Sequence, residues 1–197
     1  MKRSLFLATT LLCLSLVLSG CSNLSSALDE ALSPSSASSS GATGASTTDD
    51  GREVGGYVDG RMGDTLSTAF FSYEVTDAYY ADTFEGQSPS EGTTFVVAKV
   101  KIKNTFGDEI PMWANEFQIQ WNDEGDFSLP IANFHESQME DEYVMKKGET
   151  LEALCVFEVP VATEKTEYSV SYLEYYEDDV EGNVFFLYFD LDPTTKA

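Results

Sequence analysis

The chain holds one histidine, His135, and three cysteines, Cys13, Cys21 and Cys155. That scarcity excludes an ordinary structural or catalytic zinc set, which draws several nitrogen and sulfur ligands to one point. His135-Glu136 opens like the helix motif of zinc proteases, but Met139 stands where the second histidine belongs. A serine or cysteine nucleophile needs a base, His135 is the sole candidate, and no G-x-S-x-G elbow accompanies it. Glycosidases use two carboxylates at a fixed separation, and among 34 acids a sequence offers too many pairs to single one out. The expectation is therefore no enzyme, with no catalytic residue, no metal ligand and no cofactor. The alternative of an extracytoplasmic hydrolase would need convergent acids in a pocket, which only a structure can show.

Positive charge is also scarce. Eleven basic residues face 34 acidic ones, for a net charge of −23. Such a surface repels phosphate backbones, which excludes a nucleic-acid partner. Anionic lipid headgroups would repel it too. No uninterrupted apolar run reaches the roughly 20 residues that a spanning helix needs.

What the chain does have begins at its N-terminus. Lys2 and Arg3 precede an apolar stretch, Leu5 to Leu18, which ends in Leu18-Ser19-Gly20-Cys21. This is the layout of a secretory signal, and its last four residues resemble the bacterial lipobox. The resemblance implies cleavage after Gly20 and a diacylglyceryl group on the Cys21 sulfur. Cleavage would remove Lys2, Arg3 and no acid, taking the net charge to −25. Two acyl chains hold a protein at a membrane where one does not. The expected location is thus the extracytoplasmic face of the cell membrane, with the membrane itself a partner through Cys21. Cys13 leaves with the signal and Cys21 is acylated, so Cys155 is expected as a lone, buried thiol.

Composition then divides the chain into 1–20, the signal; 21–56, a tether; and 57–197, a folded domain. Residues 22–56 are rich in Ser, Ala, Gly and Thr, as in Ser33-Pro34-Ser35-Ser36-Ala37-Ser38-Ser39-Ser40-Gly41. Such a stretch buries too little to offset its ordering entropy. A Gly/Ser-like chain of about 35 residues spans roughly 33 Å root-mean-square.

The remainder alternates with period two. In Thr94 to Lys103, Val96, Ala98, Val100 and Ile102 fall on one face and Lys99, Lys101 and Lys103 on the other. Phe117-Gln118-Ile119-Gln120-Trp121 alternates as cleanly. Strands are also expected over 70–80, 151–159, 168–176 and 184–191. Turns are expected at Asn122–Asp126 and Glu181–Asn183, with a turn or two of helix in 134–143. Many short strands without intervening helices predict an all-β, antiparallel sandwich.

Phe95 to Asn104 ends in Lys103-Asn104, and Gly148-Glu149-Thr150 and Val156-Phe157-Glu158-Val159-Pro160 follow. Together they resemble the immunoglobulin-like domain of unknown function that recurs in lipoproteins of Gram-positive bacteria. That family is related in fold to a secreted mycobacterial antigen. The resemblance covers about Gly60 to Asp192. It implies an immunoglobulin-like sandwich outside the membrane and carries no catalytic residues.

Three features remain as candidates for contact with a partner. Asn122, Asp123, Glu124 and Asp126 form one acidic cluster; Glu177, Asp178, Asp179, Glu181 and Asn183 form a second. Either would supply oxygen ligands for weak calcium binding, although neither has EF-hand spacing. Adjacent aromatics, among them Tyr79-Tyr80, Tyr175-Tyr176, Phe185-Phe186 and Tyr188-Phe189, must point to opposite faces of a strand. One of each pair supports the core, and the other is free for protein, glycan or wider cell-envelope contact. Lys99, Lys101 and Lys103 either pair with acids on neighbouring strands or form a small anion strip.

Overall fold

In the computed structural model the described residues are 42–122 and 125–195. The signal, Cys21 and the tether as far as Gly41 lie outside them, as do Asp123 and Glu124. Thirteen strands run through the described residues: β1 (Ser46–Thr47), β2 (Glu53–Val54), β3 (Tyr57–Arg61), β4 (Leu66–Ser67), β5 (Phe71–Ala81), β6 (Thr93–Asn104) and β7 (Ile110–Trp113), then β8 (Phe117–Trp121), β9 (Asp126–Ser128), β10 (Glu142–Met145), β11 (Thr150–Pro160), β12 (Thr166–Tyr175) and β13 (Glu181–Leu191). The helix expected in 134–143 is absent: a single turn closes there, Gln138 N–H to His135 C=O at 3.0 Å, and the one short 3₁₀ turn among the described residues is Ala114–Glu116.

The strands form a β-sandwich. Of its two larger sheets, one has the order β11-β6-β5-β4 and the other β3-β13-β12-β8-β9, while β10 pairs with β7 and β1 with β2 as two-stranded sheets. The pairing is antiparallel except where β3 joins β13 in parallel. Both sheets turn their apolar face to one core, in which Val96, Val100, Ile102, Phe117, Ile119, Val170 and Leu187 are wholly buried. The alternation in β6 is as expected, because a period of two places every second side chain on the core face. A cluster of Phe71, Tyr73, Phe117 and Tyr172, with ring centroids 4.8 to 6.5 Å apart, fills the middle of the sandwich. The Tyr73 hydroxyl there is buried without a partner, and burial first, then Tyr172, pushes its pKa well above the usual value.

A bulge at Thr76 resets β5. The register passes from Val75 opposite Val100 to Asp77 opposite Lys99. Inward positions therefore switch from Phe71, Tyr73 and Val75 to Tyr80, whose hydroxyl meets that of Tyr168 at 3.0 Å. An extra residue in one strand shifts the face of everything beyond it.

The folded domain begins earlier than its composition indicates. Residues 42–56, assigned above to the tether, hold the β1–β2 hairpin, which docks on the five-stranded sheet. Thr43 and Tyr57 exchange two backbone hydrogen bonds, at 2.9 and 3.0 Å. Gly56 N–H donates to Asn183 Oδ1 at 2.9 Å, and a Cβ at Gly56 would collide with Ala42 and Ala45. Small residues here serve close approach, which composition alone reads as lack of structure. Arg52 completes the attachment. Its guanidinium pairs with Asp50 and Asp178, each at 2.8 Å, and lies 4.8 Å over the Tyr176 ring. A hydrogen bond from Thr48 and the Arg52 pairing hold Asp50 down at about 2, and Arg52 likewise lowers Asp178.

The residues that carry the family resemblance meet in space. Asn104 is buried and its amide donates to the carbonyls of Asp108, Met145 and Lys146 at 2.9 to 3.1 Å. Its backbone N–H donates to Glu149 C=O at 3.0 Å. One amide side chain thus ties the turn after β6 to the turn before β11.

Candidate binding face

The outer face of the five-stranded sheet is built by register. In the row through the middle, Phe127 of β9 lies beside Gln120 of β8, then Ser169 of β12, Tyr188 of β13 and Arg61 of β3. The next row of this face reads Gln118, Ser171, Phe186 and Asp59. The central strand contributes two serines, both buried between longer neighbours, and the face is hollowed over Ser169. The hollow is a trough of about 490 Å³, lined by Gln120, Trp121, Glu167, Ser169, Phe186 and Tyr188 among others. The turn at residues 164–166 closes one end.

Phe186 and Tyr188 line one side of the trough, and Tyr57 continues the row of rings outside it. Tyr57 stacks with Phe186 at 6.3 Å, and Phe186 with Tyr188 at 5.9 Å. Tyr57 is 57% exposed, and Phe186 and Tyr188 are half-buried. On the other side of Ser169, Gln120 lines the trough, and Gln118 lies next to it on the same face. Among the described residues the side chains of Gln118 and Gln120 have no hydrogen-bond partner. Ser171 Oγ donates a long bond of 3.4 Å to Gln118 C=O. Burial and then the carboxylates of Asp59 and Glu167 raise the Tyr188 pKa, so its phenol stays protonated and able to donate. The cations at the rim are already committed: Arg61 pairs with Glu167 at 3.0 Å and Lys165 with Asp190 at 2.9 Å.

Other predicted features lie elsewhere. Phe185, Phe189, Tyr80 and Tyr172 are buried core, whereas Phe186 and Tyr188 take the outer face. Tyr175 is exposed and Tyr79 half-buried, the latter packed with Phe84, Phe95 and Val97 beneath residues 130–139. The lysines of β6 stand among acids: Lys101 is opposite both Glu74 and Glu152, Lys99 is opposite Asp77, and Lys99 Nζ reaches Glu152 at 3.2 Å. The second acidic cluster does not converge. Asp178 is held by Arg52, Asn183 Oδ1 by Gly56, and Glu181 accepts from Tyr175 at 3.5 Å. The first loses Asp123 and Glu124 to the undescribed residues, and no metal-holding group of carboxylates, His or Cys is found among the described ones.

His135 is more engaged than the sequence suggests. Its Nδ1 lies 2.8 Å from Ser137 Oγ and accepts the Ser137 N–H at 3.3 Å, while Nε2 lies 3.6 Å from Glu85. A backbone N–H on Nδ1 fixes the proton on Nε2, toward Glu85. The ring closes a local turn two residues long. Burial raises the carboxyl of Glu116, which sits in the 3₁₀ turn and does not line the trough. Cys155 is a free, buried thiol whose pKa burial pushes up to about 12, so it is inert at neutral pH.

Sequence reasoning marked the aromatics but missed Gln118, Gln120, Ser169 and Ser171. The signal was present as polar positions alternating with Ile119 and Val170. Which strands would lie side by side was not.

No family model matches the chain, and no curated protein does. Among solved structures, ycdA of Bacillus subtilis is similar at 15% identity and a TM-score of 0.49, over 67% of this chain and 39% of ycdA. The secreted protein MPT63 of Mycobacterium tuberculosis is similar at 10% identity and a TM-score of 0.48, over 66% of this chain and 96% of MPT63. An uncharacterized β-sandwich protein of Clostridium difficile follows at 12% identity and 0.40, over 67% and 93%. At this level of likeness, function rests on this chain's own residues. No helix among the described residues is long and apolar enough to cross a membrane.

Proposed function

We propose that this protein is a non-enzymatic binding module of immunoglobulin-like type, held at the extracytoplasmic face of the cell membrane by a lipid on Cys21. Its working surface is the outer face of the five-stranded sheet, which engages a component of the cell envelope. The observation that carries this reading is the trough: a concave site lined by the half-buried rings of Phe186 and Tyr188 and the unpaired amide of Gln120, over a central strand hydrogen-bonded on both sides. Concave sites with a few convergent polar groups are the usual form of a ligand site. Residues 22–41 then serve as the tether, with a root-mean-square reach of roughly 25 Å for a Gly/Ser-like chain of that length. An acidic domain on such a tether stands off an anionic membrane.

The test is co-sedimentation of the full chain, held in detergent micelles, with isolated cell envelopes. Wild type is expected in the pellet, and Tyr188→Ala and Gln120→Ala in the supernatant with unchanged melting temperatures. Lys101→Ala, on the other sheet, should behave as wild type. Retention of both trough variants at the wild-type level would refute the assignment.

A further inference from the structure

We infer that the ligand of this face is a neutral glycan chain, an inference that rests on the binding role proposed above. The first argument is what the floor offers. β12 is hydrogen-bonded on both sides, to β8 and to β13, so its backbone donors and acceptors at Ser169 and Ser171 are used within the ladder. An extended peptide gains its affinity by adding a strand to an open ladder edge. Along β12 none is available, and recognition there falls to side chains.

Those side chains are mostly amides, hydroxyls and rings, among them Gln120, Thr166, Phe186 and Tyr188, beside Glu164 and Glu167. Gln118 and Gln120 each present two donors and an acceptor without an internal partner among the described residues. Tyr188 adds a protonated phenol. This inventory matches a ligand covered in hydroxyl or acetamido groups, each both donor and acceptor. The rings answer the other half of a sugar, the apolar face formed by its axial C–H bonds, which packs against an aromatic surface. Phe186 and Tyr188 stack along the trough and Tyr57 continues the row outside it, so successive sugar units would each find a ring.

Charge decides against an anionic ligand. Arg61 and Lys165 at the rim are paired with Glu167 and Asp190, and Asp59 adds a further acid beside Phe186. A phosphate- or sulfate-bearing polymer would meet net repulsion from a protein of charge −23.

Titration of the full chain in detergent micelles with cellohexaose and with chitohexaose, followed by backbone amide shifts, tests the inference. At least one of the two should shift Gln118, Gln120, Ser169, Ser171 and Tyr188 selectively, with binding unchanged in 1 M salt. The two probes separate a plain from an N-acetylated chain. Tyr188→Ala should weaken binding about tenfold or more, and Gln120→Ala, a milder change on the surface, should weaken it as well. Phe106→Ala, an exposed aromatic remote from β12 and β13 in sequence, should leave it unchanged. Heparin or an extended Ala/Ser peptide binding this face in place of both glycans would overturn the inference. Silence of both glycans toward a chain that envelopes retain through this face would overturn it too, leaving the binding role standing. If envelopes fail to retain the chain as well, both fall.

Discussion

Replacing Cys21 with alanine is expected to abolish lipid incorporation and release most of the protein from the membrane. The thiol of Cys21 is the acceptor that the lipobox resemblance requires, and alanine has none. Each buried methylene contributes about 0.8 kcal/mol to membrane binding, so losing two acyl chains removes essentially all of the attachment. The chain is acidic, and no helix among the described residues is long and apolar enough to cross a membrane. Metabolic labelling with an alkyne fatty acid gives the direct readout: full label in wild type, none in Cys21→Ala. Intact mass should place the wild-type N-terminus at Cys21. Equal labelling of the two chains, or a wild-type chain that retains residues 1–20, would contradict the anchor.

The second large effect lies at Glu174, a carboxylate that is 2% exposed. Its Oε1 accepts the Ala69 N–H at 2.6 Å, from the turn between β4 and β5. Its Oε2 accepts the Tyr176 hydroxyl at 3.1 Å and the Asn183 N–H at 3.4 Å. One side chain of the five-stranded sheet thereby latches the turn of the other. Glu174→Ala leaves these donors without an acceptor in a site that water reaches poorly. Hydrogen bonds to a charged group are the strong ones, and an unsatisfied buried donor costs about 1–3 kcal/mol. Because the three bonds are not additive, a loss of about 3 kcal/mol is expected, or roughly 10 °C in melting temperature for a domain of this size. Glu174→Gln keeps an acceptor and should lose less than half of that. Gly182 belongs to the same latch. A Cβ there would meet Glu174 Cγ at 2.8 Å and Cβ at 2.9 Å as well as its carboxylate, so Gly182→Ala should cost about 2 kcal/mol by forcing the carboxylate off its partners. Thermal unfolding of Glu174→Ala within about 2 °C of wild type would show that the latch is not stabilising.

Much of the fold was legible because the strands carry their own period. β6 and β8 could be read residue by residue, since Val96, Val100, Ile102, Phe117 and Ile119 recur at every second position on a buried face. What escaped reading depends on neighbours distant in sequence. The Thr76 bulge leaves no compositional trace, yet it sends Tyr80 inward. The β1–β2 hairpin looked like linker because its alanines and glycines are small, and their smallness is what lets Gly56 approach Asn183. The parallel pairing of β3 with β13 joins segments more than 120 residues apart, a range at which local pattern is silent. The site followed the same rule. The aromatic pairs announced that one ring of each would face outward, but the trough arises where the small Ser169 falls between Gln120 and Tyr188. Asn183 shows the reverse case: a residue read as a possible oxygen ligand is used to hold the hairpin.

The central claim is that the five-stranded sheet, and not the lysine-bearing face, meets the envelope in the cell. Photo-crosslinking on intact cells tests it, with benzoylphenylalanine placed at Gln120 in one strain and at Lys101 in another. The account predicts a crosslinked envelope adduct from position 120 and none above background from position 101. Adducts from 101 with none from 120 would contradict it.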